Sequence, residues 1–435
     1  MGGGGAAGAA GIVIDADGVL RMQVHKDGTG ALSRERRIAA IASLPSDLKS
    51  RSPLRKVALS RLEKEISTAM AAGRGIPEAM QRLAGLTRVQ YVFVYPEADG
   101  VGEIVVAGPA EGWIVDATGR VVGIDSGSPT VLLEDLVAAL RVFPPGQPEE
   151  RTIGCSIDPT QEGLASLQAT INRIGRVNPR VSPGEIGGLL RESLGAQQVS
   201  IQGVSPATHF AQVLVEADYR MKLIAIGLEP PPVRMSTWID LASSSSVASN
   251  ALKRWYFVPD YECVRMSEDD LAIELVGRGV QLKGADEVVM PDGRRLSADR
   301  SDKASALFTQ AFTRKYAEIA SRHPVYAQLR NLVDLAVVAA YLQEHDTYGR
   351  TGWSATAFLN ESNYPIDAYP APKQVAPAVN VIVKGSRMLT PIGGGIVAQP
   401  RLALDPASLL MDEDGMVSQA RQKAATLPDD RWWWD

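Results

Sequence analysis

An α+β fold, combining mixed α/β layer domains with an antiparallel β-meander and a helical pair, is predicted by three features of this sequence. Strand-like and helix-like stretches alternate over residues 152–232, the pattern of a layered unit. Short strands follow one another over 254–297, separated by turns such as Pro291-Asp292-Gly293. Two apolar-periodic stretches, 302–321 and 324–345, then read as neighbouring helices. A chain of 435 residues is long enough for two or three domains with real cores. Its 45% hydrophobic and 22% charged residues exclude wholesale disorder.

The elements are justified in chain order. Residues 1–11, MGGGGAAGAAG, predict a Gly-rich tether. IVIDADGVLRM (12–22) reads as two strands around an Asp17-Gly18 turn. Residues 31–74 have helical spacing and a basic balance, ten Lys/Arg against four Asp/Glu. Within them Pro53 suits the first turn of a helix over 54–72. Strands are expected at 88–96, 102–108, 112–119 and 120–124, and a helix at 132–143. The Pro/Gly-rich stretch 144–152 closes a first α+β domain, 12–146.

A second, α/β domain spans 152–232, with strands TIGCSID and QVSIQGV and helices at 159–175, 183–194 and 209–228. The last of these is expected to be the longest regular helix, stopped by Pro230-Pro231-Pro232. Residues 233–250, including Ser243–Ser246, read as a linker. A third domain, 251–404, holds the meander, the helical pair and a hairpin turning around Gly393–Gly395. An acidic tail, 405–435, ends in three consecutive tryptophans.

Composition narrows the function classes. A net charge of −5 argues against a general nucleic-acid binder. Two cysteines, Cys155 and Cys263, are too few for a disulfide framework or a structural zinc site, and whether they pair is open. No uninterrupted apolar run reaches membrane-spanning length, so no membrane span is expected. The four histidines, His25, His209, His323 and His345, are scattered without zinc spacing, so no metal or cofactor is expected. No G-x-S-x-G elbow, Walker A loop or dinucleotide fingerprint is present. Ser46-x-x-Lys49 stands without a K-S/T-G partner.

Six stretches invite chemistry. In EADYRMK (216–222) the pairs Glu216/Arg220 and Asp218/Lys222 have i,i+4 spacing, which reads as a salt-bridged solvent face over an apolar stripe. VVGIDSGSP (121–129) carries the Asp-Ser-Gly of an aspartic protease, but a second such loop is missing, so Asp125 and Ser126 read as turn residues. Asp15-Ala-Asp17-Gly18 and Asp412-Glu-Asp414-Gly415 lack the flanking ligands of an EF-hand. The basic stretch 31–74 has no aromatics, so it offers a solvated face or a contact for an anionic glycan or envelope polymer. Trp432, Trp433 and Trp434 are candidate interaction residues. Exposed indoles would each forgo about 1.5–3 kcal/mol of burial, so they should dock on their own chain, on a protein partner or on a second copy.

AGPAEGW (107–113), TIGCSIDP (152–159), ADYRMK (217–222), YAQLRNLVDL (326–335) and TPIGGG (390–395) together resemble an uncharacterised bacterial family found chiefly in planctomycete-type genomes. The resemblance implies a secreted or cell-envelope (periplasmic) protein, whose mature part follows a signal and a low-complexity spacer. No signal peptide is visible in this sequence, and the resemblance brings no activity or catalytic residues. A non-enzymatic binding or assembly protein, self-associating or bound to a protein partner, is the expected function. A hydrolase of peptidase or esterase type, with an unmotifed site, is the alternative.

Overall fold

A computed structural model describes residues 11–23, 31–96, 102–147, 149–174, 182–242, 251–289, 295–297, 303–380, 383–384, 387–388, 392–426, 428 and 431–435. Most of the Gly-rich tether, the Ser243–Ser246 run, the Pro291-Asp292-Gly293 turn and His25 lie outside these residues. The fold is α+β, built on two large sheets. The larger has nine strands in the spatial order Ile12–Ile14, Val19–Met22, Gln374–Val375, Gln197–Gln202, Ile153–Asp158, Ile392–Ala398, Ala251–Pro259, Val280–Val289 and Arg295–Ser297. The smaller has six, in the order Val264–Met266, Ala272–Leu275, Tyr91–Tyr95, Glu103–Ala110, Ser52–Ala58 and Trp433–Trp434.

Strands from residues 12–22, 153–202, 251–259, 280–297 and 374–398 therefore share one sheet. Residues 52–110, 264–275 and 433–434 share the other. The expected single meander over 254–297 is corrected: Val264–Met266 and Ala272–Leu275 cross to the smaller sheet. Ala251–Pro259 and Val280–Val289 stay paired in the larger one. Alternation along a strand identifies its buried face but carries no information about which sheet covers it.

Three helices bridge the sheets. His209–Ala225 packs on the central strands of the larger sheet and against Leu133–Val142 and Pro324–Glu344. Pro324–Glu344 reaches the smaller sheet: Asn331 donates to the Thr87 carbonyl at 3.1 Å, and Tyr341 to the Asp270 carbonyl at 2.9 Å. At 21 residues it is longer than the 17-residue His209–Ala225, contrary to expectation. It is long and apolar enough to cross a membrane by length and composition, yet its apolar window is 94% buried within the fold. Packing on every side explains why its apolar residues do not form a stripe.

Two further expectations are corrected. Residues 52–58 form a strand, and the helix begins only at Leu59. Pairing with Glu103–Ala110 on one side and Trp433–Trp434 on the other overrides the local helical spacing. The glycines at 393–395 do not turn a hairpin. They sit inside Ile392–Ala398, which runs antiparallel to Ile153–Asp158 and parallel to Ala251–Pro259. A Cβ on Gly394 would meet the Trp255 carbonyl at 2.2 Å and Lys222 Cε at 2.8 Å. Glycine is what lets the bridging helix press this close to the strand.

Candidate functional site

A cleft of about 850 Å³ opens beside the smaller sheet. One wall is the Leu59–Ala71 helix, whose 3.6-residue period brings Ser60, Glu63, Lys64 and Ser67 to one side. The other wall is the loop carrying Trp353, Ser354 and Thr356. Two carboxylates line it, and both are occupied by the chain's own donors. Glu63 accepts from Trp353 Nε1 at 2.6 Å and from the Ala357 and Phe358 amides at 2.6 and 3.1 Å. Glu103 accepts from Ser60 N and Oγ at 3.0 and 2.7 Å and from its neighbour's amide, Ile104 N, at 3.0 Å. Burial raises the Glu103 pKa above the usual carboxylate range, and these hydrogen bonds and Arg61 only partly oppose it. Lys64 is exposed and has no ion pair among the described residues. No histidine lines the cleft.

Arg61 joins this cleft to the tail, donating to the carbonyls of Pro428 and Arg431 and lying 3.4 Å from Glu103. Beyond it, Trp433–Trp434 adds an edge strand to Ser52–Ala58, with Trp433 opposite Val57 and Trp434 opposite Lys56. Ala58 N donates to the Trp432 carbonyl at 2.8 Å. Trp433 and Trp434 are buried and Trp432 is partly buried against the core. Arg55, with no exposed surface, is the anchor. Its guanidinium reaches Asp435 Oδ1 and Oδ2 at 2.8 and 3.1 Å, and also the carbonyls of Ala84, Asp47 and Ser50. The Trp433 ring stacks over it at 4.7 Å. Burial alone would raise the Asp435 pKa, but Ser52 and the Arg55 and Lys56 cations hold it below the usual range. The contiguous indoles were visible in the sequence; the arginine that receives the segment was not.

EADYRMK proves to be interior, which corrects the solvent-face reading. Glu216, Asp218 and Lys222 are fully buried. Lys222 Nζ lies 2.7 Å from Asp218 and donates to the Ile157 carbonyl at 3.1 Å. Glu216 receives two bonds from Arg120 at 2.5 and 2.7 Å and one from Arg220 at 2.8 Å. Arg220 continues to Glu229, 3.6 Å from His323. Arg120 also donates to Gln328, which stands 3.5 Å from His209 Nε2, while His209 Nδ1 faces both oxygens of Asp135 at 3.0 Å. The i,i+4 spacing identified the pairs, but the second layer packed over that face made them internal. Seven residues, from Asp135 to Glu229, thus tie the bridging helices together.

The remaining candidates do not converge. Asp125 pairs with exposed Arg37 at 3.1 Å, and Ser126 Oγ donates to the buried Glu111 carboxylate, which also receives the Asp125 and Ser126 amides. That carboxylate closes a turn. Cys155 and Cys263 are buried free thiols, so no disulfide joins them, and burial raises both pKa values, that of Cys263 to about 12. Among the described residues no group of His, Cys, Asp and Glu is arranged to hold a metal ion.

A family model described as a protein of unknown function (DUF1598) matches residues 155–238. That stretch contains the buried Asp218–Lys222 pair and Glu216, and none of the residues lining the cleft. No curated protein and no solved structure matches the chain.

Proposed function

We propose that this chain is a non-enzymatic binding and assembly protein, exported or associated with the cell envelope. The observation that carries the binding role is that Glu63 and Glu103 each accept three hydrogen bonds from the chain's own donors. Three of the roughly four acceptor sites on each carboxylate are held by the chain itself, which leaves little capacity to take a substrate proton. The lining also offers the Lys64 ammonium and the hydroxyls of Ser67, Ser354 and Thr356, the last two 2.8 Å from each other. The lining charges cancel, Arg61 and Lys64 against Glu63 and Glu103. Such a lining suits a hydroxyl-rich ligand, an oligosaccharide, better than a polyanion.

Calorimetric titration with soluble envelope-type oligosaccharides tests this. Lys64→Ala should weaken binding roughly tenfold, the worth of about one hydrogen bond to a charged group. Equal binding by parent and variant, or none by either, overturns the assignment of the cleft. Export rests on the family resemblance. Recovery of the natural chain solely in the cytoplasmic fraction of its own cells would remove it. The contact between Ser60 Oγ and Glu103 favours the second reading, a hydrolase. Turnover in a peptide and ester screen that Ser60→Ala abolishes would replace binding with catalysis.

A further inference from the structure

We infer that a second cleft, between the Val280–Val289 strand and the Lys303–Arg314 helix, binds a small, multiply charged oxyanion, a ligand bearing phosphate or carboxylate groups. It opens about 500 Å³ and shares no lining residue with the cleft beside the smaller sheet. Arg278, Lys283 and Arg314 line it, and among the described residues no Asp or Glu does. Arg278 is held by Asp260 at 2.8 Å. Lys283 and Arg314 are exposed and make no ion pair or hydrogen bond among the described residues. The lining thus carries two positive charges without a counter-charge.

The strand adds a backbone donor. Along an antiparallel strand, residues alternate between turning N–H and C=O to a given neighbour and turning both away. Leu282 N donates to Thr313 Oγ1 at 2.8 Å, so Leu282 turns its polar groups to the helix and away from Ala251–Pro259. Gly284, two residues on, has the same phase and lines the cleft. Trp255, directly opposite it, turns its carbonyl the other way, towards Gly394. Having no side chain, Gly284 leaves its amide uncovered at the cleft wall. Guanidinium, ammonium and peptide N–H are the donors that oxyanions accept. A neutral ligand would leave both charges unmet, and a singly charged one would meet only half of them. Arg330 extends the positive field: its stem lies against Gly279, and its Nε is buried without a hydrogen-bond partner. Asp334, the carboxylate that acts on it, is already held by Arg88 at 2.8 Å.

Calorimetric titration of the full chain with pyrophosphate and, separately, with citrate tests this. Saturable binding of at least one is expected, and the tighter probe identifies phosphate or carboxylate as the group recognised. Lys283→Gln and Arg314→Gln, both at exposed positions, should each weaken binding about tenfold, the worth of one hydrogen bond to a charged group. The two together should remove it. Lys64→Ala, in the other cleft, should leave it unchanged, so the outcome is independent of the oligosaccharide titration. No saturable binding of either probe, an affinity unchanged in the double variant, or a loss caused by Lys64→Ala overturns the inference.

Discussion

Asp218 and Lys222 show why buried charge is retained only in company. Neither side chain has exposed surface, and two of the lysine's three donors are met, by the carboxylate and the Ile157 carbonyl. Deleting one partner leaves the other as an uncompensated interior charge. Lys222→Met should therefore destabilise the fold by about 3–5 kcal/mol, whereas Asp218→Leu combined with Lys222→Met should cost far less. Equilibrium urea unfolding measures both, and a single variant as stable as its parent would remove the pair's structural role. His209 carries a pH signature. Burial lowers its pKa, but Asp135, by charge and hydrogen bond, and then Glu134 outweigh burial, so the net shift is upward despite Arg120. Its stabilisation is complete below the unfolded value of about 6.5 and is lost as pH rises through the higher folded value. The urea midpoint should fall across that window, and Asp135→Asn should flatten the fall.

The strand Ile392–Ala398 is the element on which the larger sheet turns, since it alone among the described strands joins the Ile153–Asp158 side to the Ala251–Pro259 side. Its glycines make that junction by letting neighbouring backbone approach. A Cβ on Gly395 would lie 2.4 Å from the Cys155 carbonyl, and one on Gly394 closer still to Trp255. Gly394→Ala should cost about 1–3 kcal/mol, the range for overpacking a tight interior. Thermal melts of the variant check this, and an unchanged midpoint would show that the strand has room to relax. Existence and type of most elements were legible from periodicity, including the Asp17-Gly18 hairpin and the Leu133–Val142 helix. Ser52–Ala58 was not, because pairing partners some fifty residues downstream and at 433–434 settle it.

The two sheets draw their strands from segments far apart in the chain, and one continuous hydrophobic core runs from Ile12 to Trp433. That interleaving predicts a single cooperative unfolding transition across residues 12–435. Differential scanning calorimetry tests it: transitions at separate temperatures would show that 12–146, 152–232 and 251–404 fold as independent domains. The candidate cleft belongs to the same arrangement, because its two walls come from residues 60–67 and 352–357. Of it the sequence showed only a basic stretch. Nothing at 352–357 announces a partner for Glu63, since a tryptophan N–H and two backbone amides carry no pattern.

The local spacing of apolar residues, turn residues and i,i+4 charge pairs was enough to establish an α+β chain, most of its helices and strands, and an unusual run of indoles. These are properties of neighbours along the chain, where period and propensity act directly. Which sheet a strand joins, whether a charged helix face meets water or a second layer, and what receives Trp432–Asp435 depend on residues from about fifty to several hundred positions away. Arg55 meets Asp435, Arg120 meets Glu216, and Glu63 meets Trp353 only when the chain is assembled. Burial by distant elements converts surface charge into interior bonds, and that conversion leaves no periodic trace in the sequence.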